Sequence, residues 1–471
     1  MGSWDEGERV PKLVWRVKLV AEFETGETTE VEVAHLERDE QAGLAGLGLR
    51  LGEAKRLTAA IQAEIVPAQV TIAGEDRRTC VACGRVLASK GHYNATFRSL
   101  FGDVPVRVRR LLACSCQGTG EAKSFAAFDL EAATVAPELA YVTARYAALA
   151  PFGKVADLLS ELLPVGGAAN AGTVRNRTMR AGEAVVLPHV TTTAEPPTAR
   201  PSEPVVVGLD GGYVRSRHRQ DERHFEVIAG KVIDAQGSHS RFAFARNSPA
   251  IASGAFKQAL AMAGVTADTP ATVLCDGDPG LWRLQREALP NATIVLDWWH
   301  VAVRFEHALQ TARGLGAGDA KLAAEAVRGL ERAKWRLWHG RWPGCRRKLA
   351  ALCRWARRAS IILGIAGIGR LEHHVGELLA YLERNQGALV HYAARRRNGE
   401  PISTAFVESS VNEIIAKRMN KKQQMRWNRA TVQPFLDVRT AVLNDTLGDA
   451  FRHRYPGFHP ANGNEAVALA A

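Results

Sequence analysis

The chain has 471 residues, with 61 Lys and Arg against 49 Asp and Glu, a formal net charge of +12. Its 46% hydrophobic and 23% charged residues exclude wholesale disorder. No apolar run approaches the ~20 residues of a membrane span, and the charged start MGSWDEGERV lacks an export core, so a cytoplasmic protein (nucleoid) with no membrane partner is expected. The positive excess favours a polyanion as partner, nucleic acid before a membrane surface.

Residues 14–34 alternate apolar and polar around Thr25-Gly26, the pattern of a hairpin, and 52–66 read as a short helix. With the preceding segment they form an N-terminal region, 1–70. Four of the seven cysteines then cluster: Cys80 and Cys83 as C-x2-C, Cys114 and Cys116 as C-x-C. A second hairpin around Gly102-Asp103 separates the two pairs. Two chelating turns joined by a hairpin describe a zinc ribbon, 71–130, in which four thiolates hold a structural Zn2+ at ~2.3 Å. Cys275, Cys345 and Cys353 are scattered and read as buried thiols.

From 131 to 187 the pattern is helical. Helices fit 137–149 and 151–163, then a Gly166-Gly167 turn and a last helix bearing Thr173, Arg175, Arg177 and Arg180. This order suggests a helix-turn-helix, with Arg175 and Arg177 as DNA contacts, or a plain helical packing unit. Residues 188–204 contain five prolines and form a linker.

Beyond the linker, strands are expected at 205–214, 224–234, 240–246, 272–277 and 293–301, with helices from Pro249 and Pro279. Three adjacent strands, a helix, a strand, a helix and a strand is the order of a ribonuclease-H-like α/β sheet. Asp210 and Asp276 end two apolar strands, where ligand crevices form. Oxygen-only ligands favour Mg2+ or Mn2+. Residues 300–400 supply no third carboxylate at an obvious strand end, and Glu408, in ISTAFVESSVNEIIAKRMNKKQQMRW (402–427), supplies it. Asp278 is the rival of Asp276 but precedes Pro279 as a helix cap would. Glu413 is the rival of Glu408, on a different helical face.

The basic stretch 328–358 has eleven Lys or Arg against one acid. Its Trp335, Trp338 and Trp342 read as one buried helical stripe, with cations opposite that could meet phosphates. Lys417, Arg418, Lys421, Lys422 and Arg426 follow Glu408 and are candidate DNA contacts, or a solvated helix end.

The segments GLDGGYVR, DGDPGLW, LDWWHV and STAFVESSVN…KRMNKKQQMRW resemble DDE transposases of bacterial insertion sequences, most closely the zinc-ribbon ISKra type, itself distantly similar to Mutator-like enzymes. The resemblance runs from the ribbon to about Asn444. It implies a ribonuclease-H-like DDE core at 205–301 and 401–445, interrupted by an all-helical insertion at 302–400 and followed by a tail, 446–471. It implies Asp210, Asp276 and Glu408 as catalytic ligands of Mg2+ (or Mn2+), DNA phosphoryl transfer at mobile-element ends, and a homo-oligomer on DNA. Asp297 and His300 match a D-x-x-H element as possible site residues. A catalytically inactive DNA-binding descendant and a nuclease on the same sheet are the alternatives.

Overall fold

The structure is a computed structural model that describes residues 14–37, 47–117, 124–130, 134–166, 169–191, 203–218, 220, 222–315, 319–363, 367–420 and 425–459. The chain divides into two compact units, residues 1–181 with 451–471, and 182–450.

In the first unit, β1 (Val14–Glu22) and β2 (Thr28–Glu37) pair antiparallel across a turn where Gly26 takes φ +82°. Helix α1 (Leu51–Asp76) runs past Pro67, ten residues beyond the expected end at 66. Packing overrides the helix breaker, because Val66 and Val70 join the core beneath β4 on either side of the proline. Strands β3 (Ser89–Ser99), β4 (Gly102–Leu112) and β5 (Ser124–Ala126) form an antiparallel sheet. Every second residue of β4 (Val104, Val106, Val108) is buried against that core. Helices α2 (Pro137–Leu149), α3 (Phe152–Leu162) and α4 (Ala171–Thr191) follow. The Asn170 side chain caps α4 by accepting from Thr173 N at 2.9 Å. Gly167 and most of the linker lie outside the described residues.

The second unit centres on a five-stranded mixed sheet: β6 (Val205–Arg215), β7 (His224–Ile233), β8 (His239–Ala245), β9 (Ala271–Cys275) and β10 (Thr293–Leu296). The spatial order is β10-β9-β6-β7-β8, with β6–β7 and β7–β8 antiparallel and β9 and β10 parallel to their neighbours. Helices α5 (Pro249–Met262) and α6 (Pro279–Ala288) make the crossovers. The strand expected at 293–301 stops at Leu296. Asp297 instead caps α7 (Trp298–Gly314), accepting from Trp299 N at 2.7 Å, which turns the chain into a helix five residues early.

Helix α7, α8 (Ala320–Trp338), α9 (Trp342–Leu363) and α10 (Ile368–Arg384) each touch the next, and α10 closes back on α7 as a four-helix bundle. A turn at His339–Arg341, with Gly340 at φ +68°, divides the basic stretch. The expected tryptophan stripe is therefore broken: Trp338 and Trp342 pack on the core, whereas Trp335 is 52% exposed, beside His339 and beneath Arg341. Short α11 (Tyr392–Arg397) leads back to the sheet through α12 (Ala405–Val411), a π-helical turn at Asn412–Ala416, and α13 (Lys417–Met419). Helix α14 (Gln433–Leu443) packs on β8.

Candidate catalytic site and metal centre

The parallel β6–β9 ladder runs as far as Gly208 opposite Leu274. Two residues further on, Asp210 and Asp276 fall side by side. On the other side of β9, Leu296 pairs with Cys275, so Asp297 follows the end of β10, with its N–H on Cys275 O at 3.0 Å. Asp276 and Asp297 thus follow the ends of β9 and β10, whereas Asp210, expected at a strand end, lies midway along β6, which continues to Arg215 because it stays paired with β7 after its ladder with β9 stops.

Residues 208, 210 and 212 share one face of β6. A Cβ on Gly208 would collide with Val407 and Phe406, and one on Gly212 would come within 2.6 Å of Ile415. The two glycines therefore form a trough in which α12 and the π turn lie, with Asp210 between them. Glu408, on α12, is exposed, and shares with Asp210, Asp297, His300, Trp299, Thr404 and Ala405 a cavity of about 80 Å³.

Asp210 accepts from Gly211 N at 2.8 Å. Even so, burial, together with the charge of Asp276, pushes its carboxyl up to about 6. Asp276 accepts from Asp278 N at 3.0 Å, and Tyr381 Oη donates to its carbonyl at 2.7 Å. Gly277 adopts φ +91°, and a Cβ there would meet Asn385 and Leu296, so the Asp-Gly pair permits a turn no larger residue could make. Asn385 itself accepts from Trp282 Nε1 at 2.7 Å.

The two rivals are otherwise engaged. Asp278 caps α6, accepting from Gly280 N and Leu281 N, and pairs with Arg246 at 2.9 Å. Glu413 pairs with Arg241 at 3.0 Å, and its carbonyl accepts from Arg439. Asp297 is fully buried. Its Oδ2 accepts a short hydrogen bond from Thr404 Oγ1 and lies 3.7 Å from His300 Nε2. Thr404 O in turn accepts from Glu408 N at 2.8 Å, and Trp298 N donates to Ile402 O at 2.9 Å. The start of α7 thereby anchors the start of α12. Thr404, Tyr381 and Asn385 could not be found from sequence, because each meets the strand ends only through a contact over a hundred residues apart or within the insertion.

Two expected DNA contacts are corrected. Arg418 is fully buried against the Trp427 and Phe435 rings, and burial lowers its guanidinium to about 9. Arg177 is 9% exposed, and burial lowers its guanidinium against the opposing charge of Asp103. Helical periodicity turns both residues inward. Lys417 and Arg426 are exposed and Arg175 is half-buried, while Lys421 and Lys422 lie outside the described residues.

In the first unit, the Sγ atoms of Cys80, Cys83, Cys114 and Cys116 all lie within 4.8 Å of one another. Cys80 and Cys116 are 3.5 Å apart, as are Cys83 and Cys114. A tetrahedron with ~2.3 Å Zn–S bonds has edges of ~3.8 Å, so the spacing fits a zinc site of four thiolates. The N–H groups of Cys83 and Ala82 point at Cys80 and lower its thiol to about 7, favouring the thiolate that a metal needs. Among the described residues this is the one group of three or more metal-ligating side chains that close; the three carboxylates are more widely spread.

No protein-family model and no curated protein matches the chain. Among solved structures, the chain is similar to the Drosophila P element transposase strand transfer complex, at 11% identity and a TM-score of 0.31 over 67% of this chain and 93% of that one. At that score the likeness supports no conclusion. No helix among the described residues is long and apolar enough to cross a membrane.

Proposed function

We propose that the protein is a DDE-type DNA transposase with a ribonuclease-H-like core, which cuts DNA at the ends of a mobile element and joins them to target DNA. The observation that carries this reading is Asp210 and Glu408 lining one cavity, with Asp276, just past the end of the neighbouring parallel strand, close enough for its charge to act on Asp210. The resemblance of the segments around these residues to ISKra-type transposases supplies the reaction class.

The donor set fits hard divalent cations. It is all oxygen, and the Asp210 carboxyl is held up by burial and by Asp276, a strain that a cation between them would relieve. Asp210, Asp276 and Glu408 would hold Mg2+ or Mn2+, which when bound supplies charge neutralisation at the attacking and leaving oxygens of an in-line displacement. The protein's own part is positioning. The sheet fixes the two aspartates, Asp210 within β6 and Asp276 just past the end of β9, and the Asp297–Thr404 bond fixes the helix carrying Glu408. Lys417 and Arg426 offer phosphate contacts beside it. The cysteine cluster holds Zn2+ and stabilises its own small sheet without chemistry.

The test is cleavage and joining of a duplex bearing the element's own end, with Glu408→Gln as control. Joined product that needs Mg2+ and vanishes in the variant is expected. Cleaved but never joined DNA would make the protein a nuclease. Binding without product in both proteins would make it an inactive descendant.

A further inference from the structure

Helix α7 does more than anchor the Glu408 helix. His300, Arg304, His307 and Thr311 recur at spacings of four, three and four residues, which places them on one face of α7. The row begins in the carboxylate cavity, since His300 lines it. Arg304 comes next, its guanidinium 4.1 Å above the ring of Tyr381, whose hydroxyl holds the Asp276 carbonyl. The row ends in a separate cleft of about 690 Å³ between α7 and α10, lined by His307, Gln310, Thr311, Arg370 and His374. None of the described residues lining that cleft is acidic. Glu306, the acid of α7, pairs with Arg313 on the opposite face at 2.8 Å.

The cleft gathers basic side chains in one place. His374 lies below the ordinary imidazole range through burial and through His373, His307 and Arg370, all of which act in the same direction. At neutral pH the Arg370 guanidinium carries the charge there and His374 is a neutral hydrogen-bonding partner, and a cation in an open cleft without acids fits a polyanion. The eleven helical steps from His300 to Thr311 rise ~16 Å, the axial length of about five phosphates of one DNA strand at ~3.4 Å each.

We infer that this face of α7, with Arg370 and His374 of α10, is a phosphate track that leads a DNA strand away from the carboxylate cavity. The inference rests on the DNA-processing reading above and names where in the helical bundle the substrate lies.

The test uses the full chain and a 30-base-pair duplex of arbitrary sequence, because phosphate contacts do not depend on sequence. Binding is followed by fluorescence anisotropy across a salt series. Arg304 and Arg370 are both exposed, so the double variant Arg304→Ala/Arg370→Ala should keep the wild-type melting curve. Its log–log salt slope should be shallower by about 2, since each phosphate that a cation neutralises contributes ~0.9 to the slope. Arg370→Glu alone, which leaves the Tyr381 contact intact, should also weaken binding. Unchanged slopes in both variants, with Lys417→Ala/Arg426→Ala still lowering the slope, would overturn the track and leave the DNA reading standing. Tight one-to-one binding of inorganic triphosphate, with the duplex salt slope unaffected by the double substitution, would make the cleft a small-anion site and overturn the track as well. A wild-type protein that binds no duplex at any salt would overturn both readings. A shallower slope without any cleaved or joined product would keep the track and remove the catalytic assignment.

Discussion

Asp210 is a charge held against its own stability. Its carboxyl ordinarily titrates at 3.8 and is pushed up to about 6 by burial and by Asp276, against the pull of the Gly211 N–H and a smaller one from His300. A raised folded value means that the neutral form is the stable one. This contribution is therefore complete below about pH 4 and is lost as pH rises through 6. Metal-free Asp210→Asn should escape that loss and exceed the wild type by about 2 kcal/mol at pH 7 in urea titrations, while losing all turnover. Added Mg2+ should narrow the gap, since it restores a partner to the ionised aspartate. Thr404 offers a second test at the same scale. Thr404→Val leaves the fully buried Asp297 without its hydroxyl donor and should cost about 1–3 kcal/mol. Because Thr404 positions Glu408 and need not touch DNA, kcat should fall while KM for DNA holds, a split that a purely structural role would not produce.

Helix α12 seats on the sheet only because β6 offers glycine at alternate positions. Gly208→Ala would drive its Cβ into Val407 and Phe406, and overpacking of this kind costs about 1–3 kcal/mol. Val407→Ala removes the struck methyl, so the double variant should recover part of both stability and cleavage activity, as a double-mutant cycle would show. Failure of that rescue would mean that α12 is not held by this trough. The π turn at Asn412–Ala416 belongs to the same fit. It adds a residue to the helix just where Ile415 meets Gly212, and single π turns gather at functional sites.

For the whole molecule, the two units carry separate cores, and the cysteine cluster lies wholly in the first. A chelator, or Cys80→Ser, should therefore lower or abolish one calorimetric transition and leave the other in place, with zinc content measured in parallel. Acid should have the same effect as the chelator, because protons compete for the thiolates. A single transition that shifts as one body would contradict this separation.

Much of this arrangement is legible in the sequence. Alternation and apolar runs mark β6 through β9, Pro249 and Pro279 mark helix starts, and the Asp278–Pro279 pair marks a cap, because each signal is local and depends on backbone preference. The C-x2-C and C-x-C spacing marked the cysteine cluster for the same reason. Local signals failed where tertiary contacts outweighed them. Helix α1 crosses Pro67 because its core flanks the proline, and the 293–301 run is half helix because the buried Asp297 caps it. Arg418 and Arg177 count as cations in a sequence, yet packing turns both away from solvent. The composition and chain order by themselves determined a basic protein, a mixed α/β sheet and a thiol cluster. Only the tertiary structure decided which acids face one cavity, what anchors Glu408, and which cations reach the surface. Those relations are set by how helices and strands pack on one another, some between residues over a hundred positions apart such as Asp297 and Thr404, and that packing is not written in the local pattern of the chain.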